Sequence, residues 1–396
     1  MPNDFANVDN GGAGLPGSPV DPVRLGFPAL LAAFGRTEPI AAARELRAGN
    51  INTTYLAILD GGEKLTLQKI NRHVFKQPEM IMSNIRRVTA HLRGKLPPDA
   101  PDPSRRVLSF MEKADGSMIE WDASGEPWRC YRFVEGATAY NAAVKPEHLC
   151  ETGRAFGAFQ RDLADFPIET LSETITGFHD TPKRYSAFIQ AVEADRVGRR
   201  AAASRQIEAV RDRSSLASRI VDQLSGGALP LRVTHNDTKI NNVLIDDSTE
   251  EAICVIDLDT VMPGSSLYDF GDMIRFGASS AAEDEPDVSK IDLDMGKYEQ
   301  FAKGFIDKTR GFLSDSELIA QPLGCLVITY ELAMRFLTDY LDGDRYFRVW
   351  DPEHNLIRAR AQLRLLEDME SKYDAMTSYI KENIVLNDGS RDQSRR

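Results

Sequence analysis

Histidine, cysteine and tryptophan are scarce in this chain: 6, 4 and 3 in 396 residues. The four cysteines, Cys130, Cys150, Cys254 and Cys325, stand far apart, with no C-x-x-C pair. That spacing excludes a disulfide scaffold and a structural zinc site, and is expected of reduced, buried thiols in the cytoplasm. No run approaches 18 consecutive apolar residues and no signal-peptide pattern opens the sequence, so no membrane partner is expected. Basic blocks are lacking too. With 48 Lys and Arg against 60 Asp and Glu, the net charge is −12, which argues against nucleic acid as a partner. There is no internal repeat. A hydrophobic content of 42% is ample for a large core, and the length permits two or three domains.

The stretch 231–277 carries the most chemistry. Apolar runs at 242–245 and 253–256 flank a polar turn rich in Asp, Ser, Thr and Glu, a hairpin signal. Asp237 precedes the first run and Asp257 ends the second, so a closed hairpin brings two carboxylates near each other. His235, Asp237 and Asn242 fit the spacing H-x-D-x-x-x-x-N of kinase catalytic loops. Phosphoryl transfer asks a protein for positioning, charge neutralisation and a proton acceptor. Asp237 is the candidate base. Lys239 is placed to stabilise charge on the transferred group. Asn242 and Asp257, with Asp259 as a helper, offer the hard oxygens that Mg²⁺ takes while it keeps waters and binds phosphates. His235 is read as a brace for the loop.

The tripeptide Asp269-Phe270-Gly271 spells the metal-binding motif of protein kinases. It follows the loop Pro263-Gly264-Ser265-Ser266 and opens a helical pattern, whereas Asp257 ends a buried-type strand. The metal is therefore assigned to Asp257, with Asp269 and Asp272 bracing a loop or capping a helix. No A-P-E follows, which argues against a protein kinase.

These motifs resemble the aminoglycoside phosphotransferase and choline kinase-like superfamily, in which H-x-D-x-x-x-x-N is followed by an I-D-x-D strand. Within it, THNDTKINN, VIDLDTVMPGSSLYDFGDMIRFGAS and MRFLTDYLDGDRYF…PEHNLIRAR resemble the N-acetylhexosamine 1-kinases, over residues 49–373. The resemblance implies a bilobal, protein-kinase-like α+β fold. A small antiparallel-sheet N-terminal lobe and a mostly helical C-terminal lobe would hold ATP between them.

Taken in order, residues 1–21 read as a flexible tail and 22–34 as a short helix. The resemblance favours a strand at 40–47. Asp60-Gly61-Gly62 between strands at 53–59 and 64–70 is a strong hairpin signal. The preceding turn is not a G-x-G-x-x-G, but the resemblance makes Asn50, Ile51, Asn52 and Thr53 the nucleotide cover. Where protein kinases carry a phosphate-binding Lys, the aligned slot holds Gln68, with Lys69 next to it; alternation allows one of them to face the nucleotide, and Gln68 is favoured. A helix is expected at 75–92 and strands at 107–110, 118–121 and 128–134. Glu135 then lies at the adenine-binding hinge that the fold implies.

The rest reads as helical, including 186–194, 204–224, 324–341 and 355–379, with an acidic loop at 281–294. His179 is read as structural. Glu331 and Arg335 lie four apart on one helix face, so an intrahelical ion pair is one reading. The resemblance implies the other, in which Arg335 and Tyr346 contact a sugar. The expected domains are 22–136 and 137–380, with tails at 1–21 and 381–396. The expected activity is ATP- and Mg²⁺-dependent phosphorylation of the anomeric hydroxyl of N-acetylglucosamine or N-acetylgalactosamine, in amino-sugar salvage, by a monomer or weak homodimer. The alternative is a related kinase for another sugar, choline, homoserine or an aminoglycoside.

Overall fold

The structure, a computed structural model, describes residues 17–46 and 51–393. The chain divides into two compact units, Met1–Ala90 with Pro98–Glu135, and His91–Pro97 with Gly136–Arg396. The fold is α+β: an antiparallel sheet in the N-terminal unit and a mainly helical C-terminal unit.

The N-terminal unit runs β1 (Ser18–Pro19), α1 (Phe27–Ala33), β2 (Ile40–Leu46), β3 (Thr53–Leu59), β4 (Lys64–Lys69), α2 (Pro78–Lys95), β5 (Glu120–Trp121) and β6 (Pro127–Arg132). The sheet order is β1-β2-β3-β4-β6-β5, with antiparallel neighbours throughout. The β3–β4 turn closes at Gly62, whose φ of 85° is one that glycine adopts without steric cost. Strand alternation sorts the side chains onto two faces. Tyr55, Ala57, Leu65, Leu67, Trp128 and Cys130 pack with Phe27, Leu30 and Leu31 of α1. The alternate positions Thr54, Thr66, Gln68 and Arg129 form a buried polar row on the other face. Burial pushes the Cys130 thiol up to about 12, so it is inert at neutral pH.

The strand expected at 107–110 is not a regular one. Met111 N–H and Ser109 C=O bond to β6 partners, but the sole bridge there is Phe110 to Tyr131. Val107 and Leu108 are buried as expected of a strand, so their apolar character reports burial and not a ladder.

The C-terminal unit runs β7 (Ala137–Ala139), α3 (Pro146–Asp162), α4 (Thr181–Ala194), α5 (Ser204–Asp212), α6 (Val221–Ser225), β8 (Arg232–Thr234), β9 (Val243–Asp246), β10 (Ala252–Val255), β11 (Met262–Gly264), α7 (Ser266–Gly277), α8 (Met295–Thr309), α9 (Asp315–Asp342), α10 (His354–Ser371) and α11 (Tyr373–Gln393). The helix expected over 204–224 breaks at Asp212, where Ser214 and Ser215, weak helix formers, enter a 3₁₀ turn. The final helix is two helices, α10 and α11.

Two small sheets, β10-β9-β7 and β11-β8, carry the loops of interest. The β9–β10 turn is tied by Asp246, whose Oδ1 accepts from Ser248 N (2.9 Å), Ser248 Oγ (2.6 Å) and Thr249 N (2.9 Å). Such an Asx-type turn satisfies backbone donors that the strands leave over. The helices approach closely at glycines. A Cβ on Gly324 of α9 would lie 2.0 Å from Leu267 O of α7, and one on Gly304 of α8 would lie 1.9 Å from Cys150 O of α3. Helix α9 starts with a capping box of Ser314 and Glu317. It is long and apolar enough to span a membrane, but its most apolar window is 89% buried in this fold, as befits a core helix.

Candidate active site

The loop between β8 and β9 is built on Asp269 of α7. Its Oδ2 accepts from His235 N (3.0 Å) and Gln160 Nε2 (2.7 Å), and its Oδ1 accepts from Asn236 N (2.8 Å). Thr238 Oγ1 donates to the Asp269 carbonyl. The D-F-G tripeptide therefore works as a scaffold. Asp269 holds the loop, Phe270 is fully buried against Tyr298, Phe301 and Phe305, and Gly271 lets α9 approach.

His235 is fully buried between Phe156 and Phe159. Its Nε2 lies 2.9 Å from Ile256 O and its Nδ1 3.3 Å from Asp237 N, so the ring proton belongs on Nε2 and Nδ1 accepts. Both nitrogens are spent on backbone, which makes His235 a brace for the loop.

Asp237, Lys239 and Asn242 come together. Lys239 Nζ lies 2.6 Å from Asp237 Oδ1, and each side chain keeps about a quarter of its surface exposed (27% and 26%). Asn242 Nδ2 donates to Asp237 O (2.8 Å) and Oδ2 (3.2 Å). Burial alone would raise the Asp237 carboxyl. The Lys239 charge and hydrogen bond, with His235 and Asn242, outweigh it and hold Asp237 below the usual carboxylate range. Lys239 is raised: burial opposes its charge, but Asp237, Asp272 and Glu283 more than compensate. At neutral pH the pair is an ionised carboxylate beside an ammonium.

Asp257 stands two residues past β10, and the two loop ends are joined, since Ile256 N–H donates to Asn242 O (2.9 Å). Asp257 has φ 59° and ψ 57°, a left-handed conformation that costs a non-glycine residue about 1–3 kcal/mol and clusters at functional sites. Asp259 is buried in the 3₁₀ turn that follows. Among the described residues no group of three or more His, Cys, Asp or Glu forms a metal cage. Mg²⁺ needs none, because it binds through one or two protein oxygens with waters and phosphates. With Nδ2 of Asn242 committed to Asp237, its Oδ1 is the atom left for a cation, and with Asp257 it gives a donor set that fits.

A second cluster surrounds α9. The Glu331 carboxylate is fully buried and takes His179 Nδ1 (3.0 Å), Thr181 Oγ1 (2.6 Å) and Arg184 Nε (3.4 Å). Burial would raise it, but His179, then Arg184 and Arg335, pull it down to about 2. Arg335 lies instead among aromatic rings, its guanidinium carbon 5.7, 5.6 and 5.4 Å from the ring centres of Phe178, Tyr346 and Phe347. Arg335 Nη2 is 3.5 Å from Tyr346 OH. The loop bearing Tyr346 is held by Asp339, which accepts from the N–H groups of Arg345, Tyr346 and Phe347 (2.8, 2.8 and 2.9 Å). Sequence reading passed over Asp339 and Arg184, and took His179 as structural without its partner. The available signal was a lone acid, Glu331, in an apolar helix, which needs buried partners.

In the N-terminal unit, Asn50 lies outside the described residues. Ile51 O accepts from Asn71 Nδ2 (3.2 Å), Asn52 Oδ1 accepts from Asn71 N (3.0 Å), and Thr53 begins β3 opposite Lys69. Gln68 is the inward residue of the Gln68–Lys69 pair. Its Nε2 donates to Thr54 Oγ1 (2.9 Å), and its Oε1 accepts from Nε (2.9 Å) and Nη2 (2.6 Å) of buried Arg129. The Arg129 guanidinium also stands 5.6 Å from the Phe110 ring. The strand run Trp128-Arg129-Cys130 held the signal for this buried cation. Glu135 pairs with Lys64, and its carbonyl accepts from Arg105 Nε (3.1 Å).

Solved structures share this fold. A microcompartment-associated aminopropanol kinase matches with a TM-score of 0.57 and 16% identity, covering 90% of this chain and 98% of its own. An amicoumacin kinase solved with AMP-PNP and Ca²⁺ matches with a TM-score of 0.53 and 13% identity, covering 81% and 87%. An ethanolamine kinase of Plasmodium vivax matches with a TM-score of 0.53 and 11% identity, covering 83% and 84%. At such identities the likeness shows the fold. The sequence model of the Phosphotransferase enzyme family (APH) matches residues 42–300, well over half of the chain and including the whole loop from His235 to Asp257. With the kinase-like fold and this match, the chain belongs to the phosphotransferase enzyme family.

Proposed function

We propose that the protein is an ATP- and Mg²⁺-dependent kinase that phosphorylates the anomeric hydroxyl of N-acetylglucosamine or N-acetylgalactosamine. Asp237 hydrogen-bonds the acceptor hydroxyl and takes its proton as the oxygen attacks the γ-phosphorus in line. An anomeric hydroxyl is more acidic than an ordinary alcohol, so a carboxylate held ionised by Lys239 suffices as base. Lys239 lies beside the attacking oxygen and offsets charge on the transferred group. Asn242 and Asp257 would hold Mg²⁺, which when bound neutralises phosphate charge. Asn52, Thr53, Gln68 and Glu135 remain the nucleotide-side candidates, with Arg129 behind Gln68.

The observation that carries the sugar reading is the Arg335 cluster. The faces of Phe178, Tyr346 and Phe347 are turned to the protein's own guanidinium, with Arg184 nearby. An ammonium acceptor such as choline or ethanolamine needs such ring faces for itself and is repelled by two arginines. A neutral polyhydroxylated acceptor gains donors there. The resemblance of the surrounding sequence to the N-acetylhexosamine 1-kinases points the same way. The test is ATP consumption with Mg²⁺ against N-acetylglucosamine, N-acetylgalactosamine, glucose, galactose, choline, homoserine and kanamycin. Turnover with the N-acetylated pair is expected, and turnover confined to a cationic acceptor refutes the reading.

A further inference from the structure

Beside the base loop lies a small recess lined by Phe178, His179, Asn236, Met262, Pro263 and Tyr268, with a volume of about 40 Å³. A water needs roughly 10–15 Å³ on the same measure, so the recess admits a substituent of a few heavy atoms and not a sugar ring. Apart from the exposed Glu173, its polar lining is almost wholly committed. Asn236 Nδ2 donates to Thr260 O (2.8 Å) and its Oδ1 accepts from Thr234 Oγ1 (3.0 Å). Tyr268 is buried and directs its hydroxyl to His179 O (3.4 Å).

His179 Nε2 is the exception. The side chain is 9% exposed, and Nε2 is buried with no hydrogen-bond partner among the described residues. A buried orphan of this kind costs about 1–3 kcal/mol and calls for an explanation. The ring is fixed by its stack on Tyr268 (4.5 Å, 30°) and by the edge contact with Phe178 (4.6 Å, 64°). Its other nitrogen, Nδ1, faces the Glu331 carboxylate at 3.0 Å. A carboxylate accepts only, so Nδ1 carries a proton and Nε2 is the ring atom left to bond a ligand.

We infer that His179 determines acceptor specificity: its Nε2 hydrogen-bonds the acetamido group of the sugar, while the acetyl methyl packs against Met262, Pro263 and Tyr268. The inference rests on the N-acetylhexosamine reading above. Asn236 adjoins Asp237 in sequence and Phe178 adjoins the Arg335 guanidinium, so the recess connects the base loop with the proposed sugar contacts.

The test compares kcat/KM for N-acetylglucosamine with that for 2-deoxyglucose, which lacks any donor at the same carbon. His179→Phe keeps an aromatic ring against Tyr268 and removes Nε2. It should cut the preference for the N-acetylated sugar by at least about tenfold, through KM for that sugar, with KM for ATP unmoved. His179→Gln, whose side-chain amide can donate or accept at the place of Nε2, should keep most of the preference. Thr181→Ala removes a Glu331 bond and spares Nε2, so it should affect both sugars alike. Equal losses for both sugars in His179→Phe overturn the inference while leaving the kinase reading intact. A wild-type enzyme that leaves N-acetylglucosamine untouched overturns both.

Discussion

Two aspartates close together in the C-terminal unit sit in motifs that kinases use for chemistry, yet they do opposite work. Asp237 is part-exposed and faces an ammonium and an amide. Asp269 is buried, and its oxygens are consumed by two backbone N–H groups and a glutamine. The residue type is the same; the partners decide. A carboxylate that receives several donors from its own buried scaffold has little capacity left for a substrate, whereas one that is part-exposed and held by one lysine and one side-chain amide keeps lone pairs to offer.

The sharpest way to break this comparison is to neutralise each acid in turn. Asp237→Asn should lower kcat by about 10²- to 10⁴-fold, the range for a lost general base, with thermal stability and ATP binding nearly unchanged. Asp269→Asn should do the reverse at first order, lowering stability by about 1–3 kcal/mol through unsatisfied N–H groups. Denaturant melts of both variants beside their steady-state kinetics decide it; a stable, inactive Asp269→Asn would give that residue a chemical role.

Next in size is Asp257→Ala. It should abolish most turnover and shift the Mg²⁺ dependence to higher concentration, while relieving left-handed strain little, since alanine fits φ 59° no better. Unchanged Mg²⁺ dependence removes Asp257 from the metal.

The Glu331 cluster gives a pH prediction. Its folded carboxyl lies near 2, below the ordinary 4.5. A depressed carboxyl stabilises the fold fully above its unfolded value and loses that contribution as pH falls towards the folded one. Wild type should therefore exceed Glu331→Gln by about 3 kcal/mol above pH 5, and the gap should close between pH 4.5 and 2. Parallel stability curves would show that Glu331 is not held ionised by its partners. The smallest effect is expected at the rim. Arg335→Ala should raise the acceptor KM about tenfold and leave the ATP KM alone, and the reverse pattern places Arg335 elsewhere.

Local signals were legible in the sequence. The β9–β10 hairpin, the Asp60-Gly61-Gly62 turn and the H-x-D-x-x-x-x-N spacing all depend on neighbours within a dozen residues. The partnerships that give those residues their properties span long separations. His179 meets Glu331 across 152 positions, and Gln68 meets Arg129 across 61. No periodicity encodes such pairs; the one trace they leave is a polar residue in an apolar run. The segment 107–110 failed as a strand for a related reason, because burial and hydrogen-bonded pairing leave the same apolar pattern.

The central claim is a base at Asp237 acting on an anomeric hydroxyl. Phosphorus NMR of the product formed from N-acetylglucosamine and Mg·ATP, by wild type and by Asp237→Asn in parallel, tests it most directly. The account predicts the sugar 1-phosphate from wild type and a rate at least about a hundredfold lower from the variant. A phosphate on another hydroxyl, or the 1-phosphate from Asp237→Asn at near wild-type rate, contradicts it.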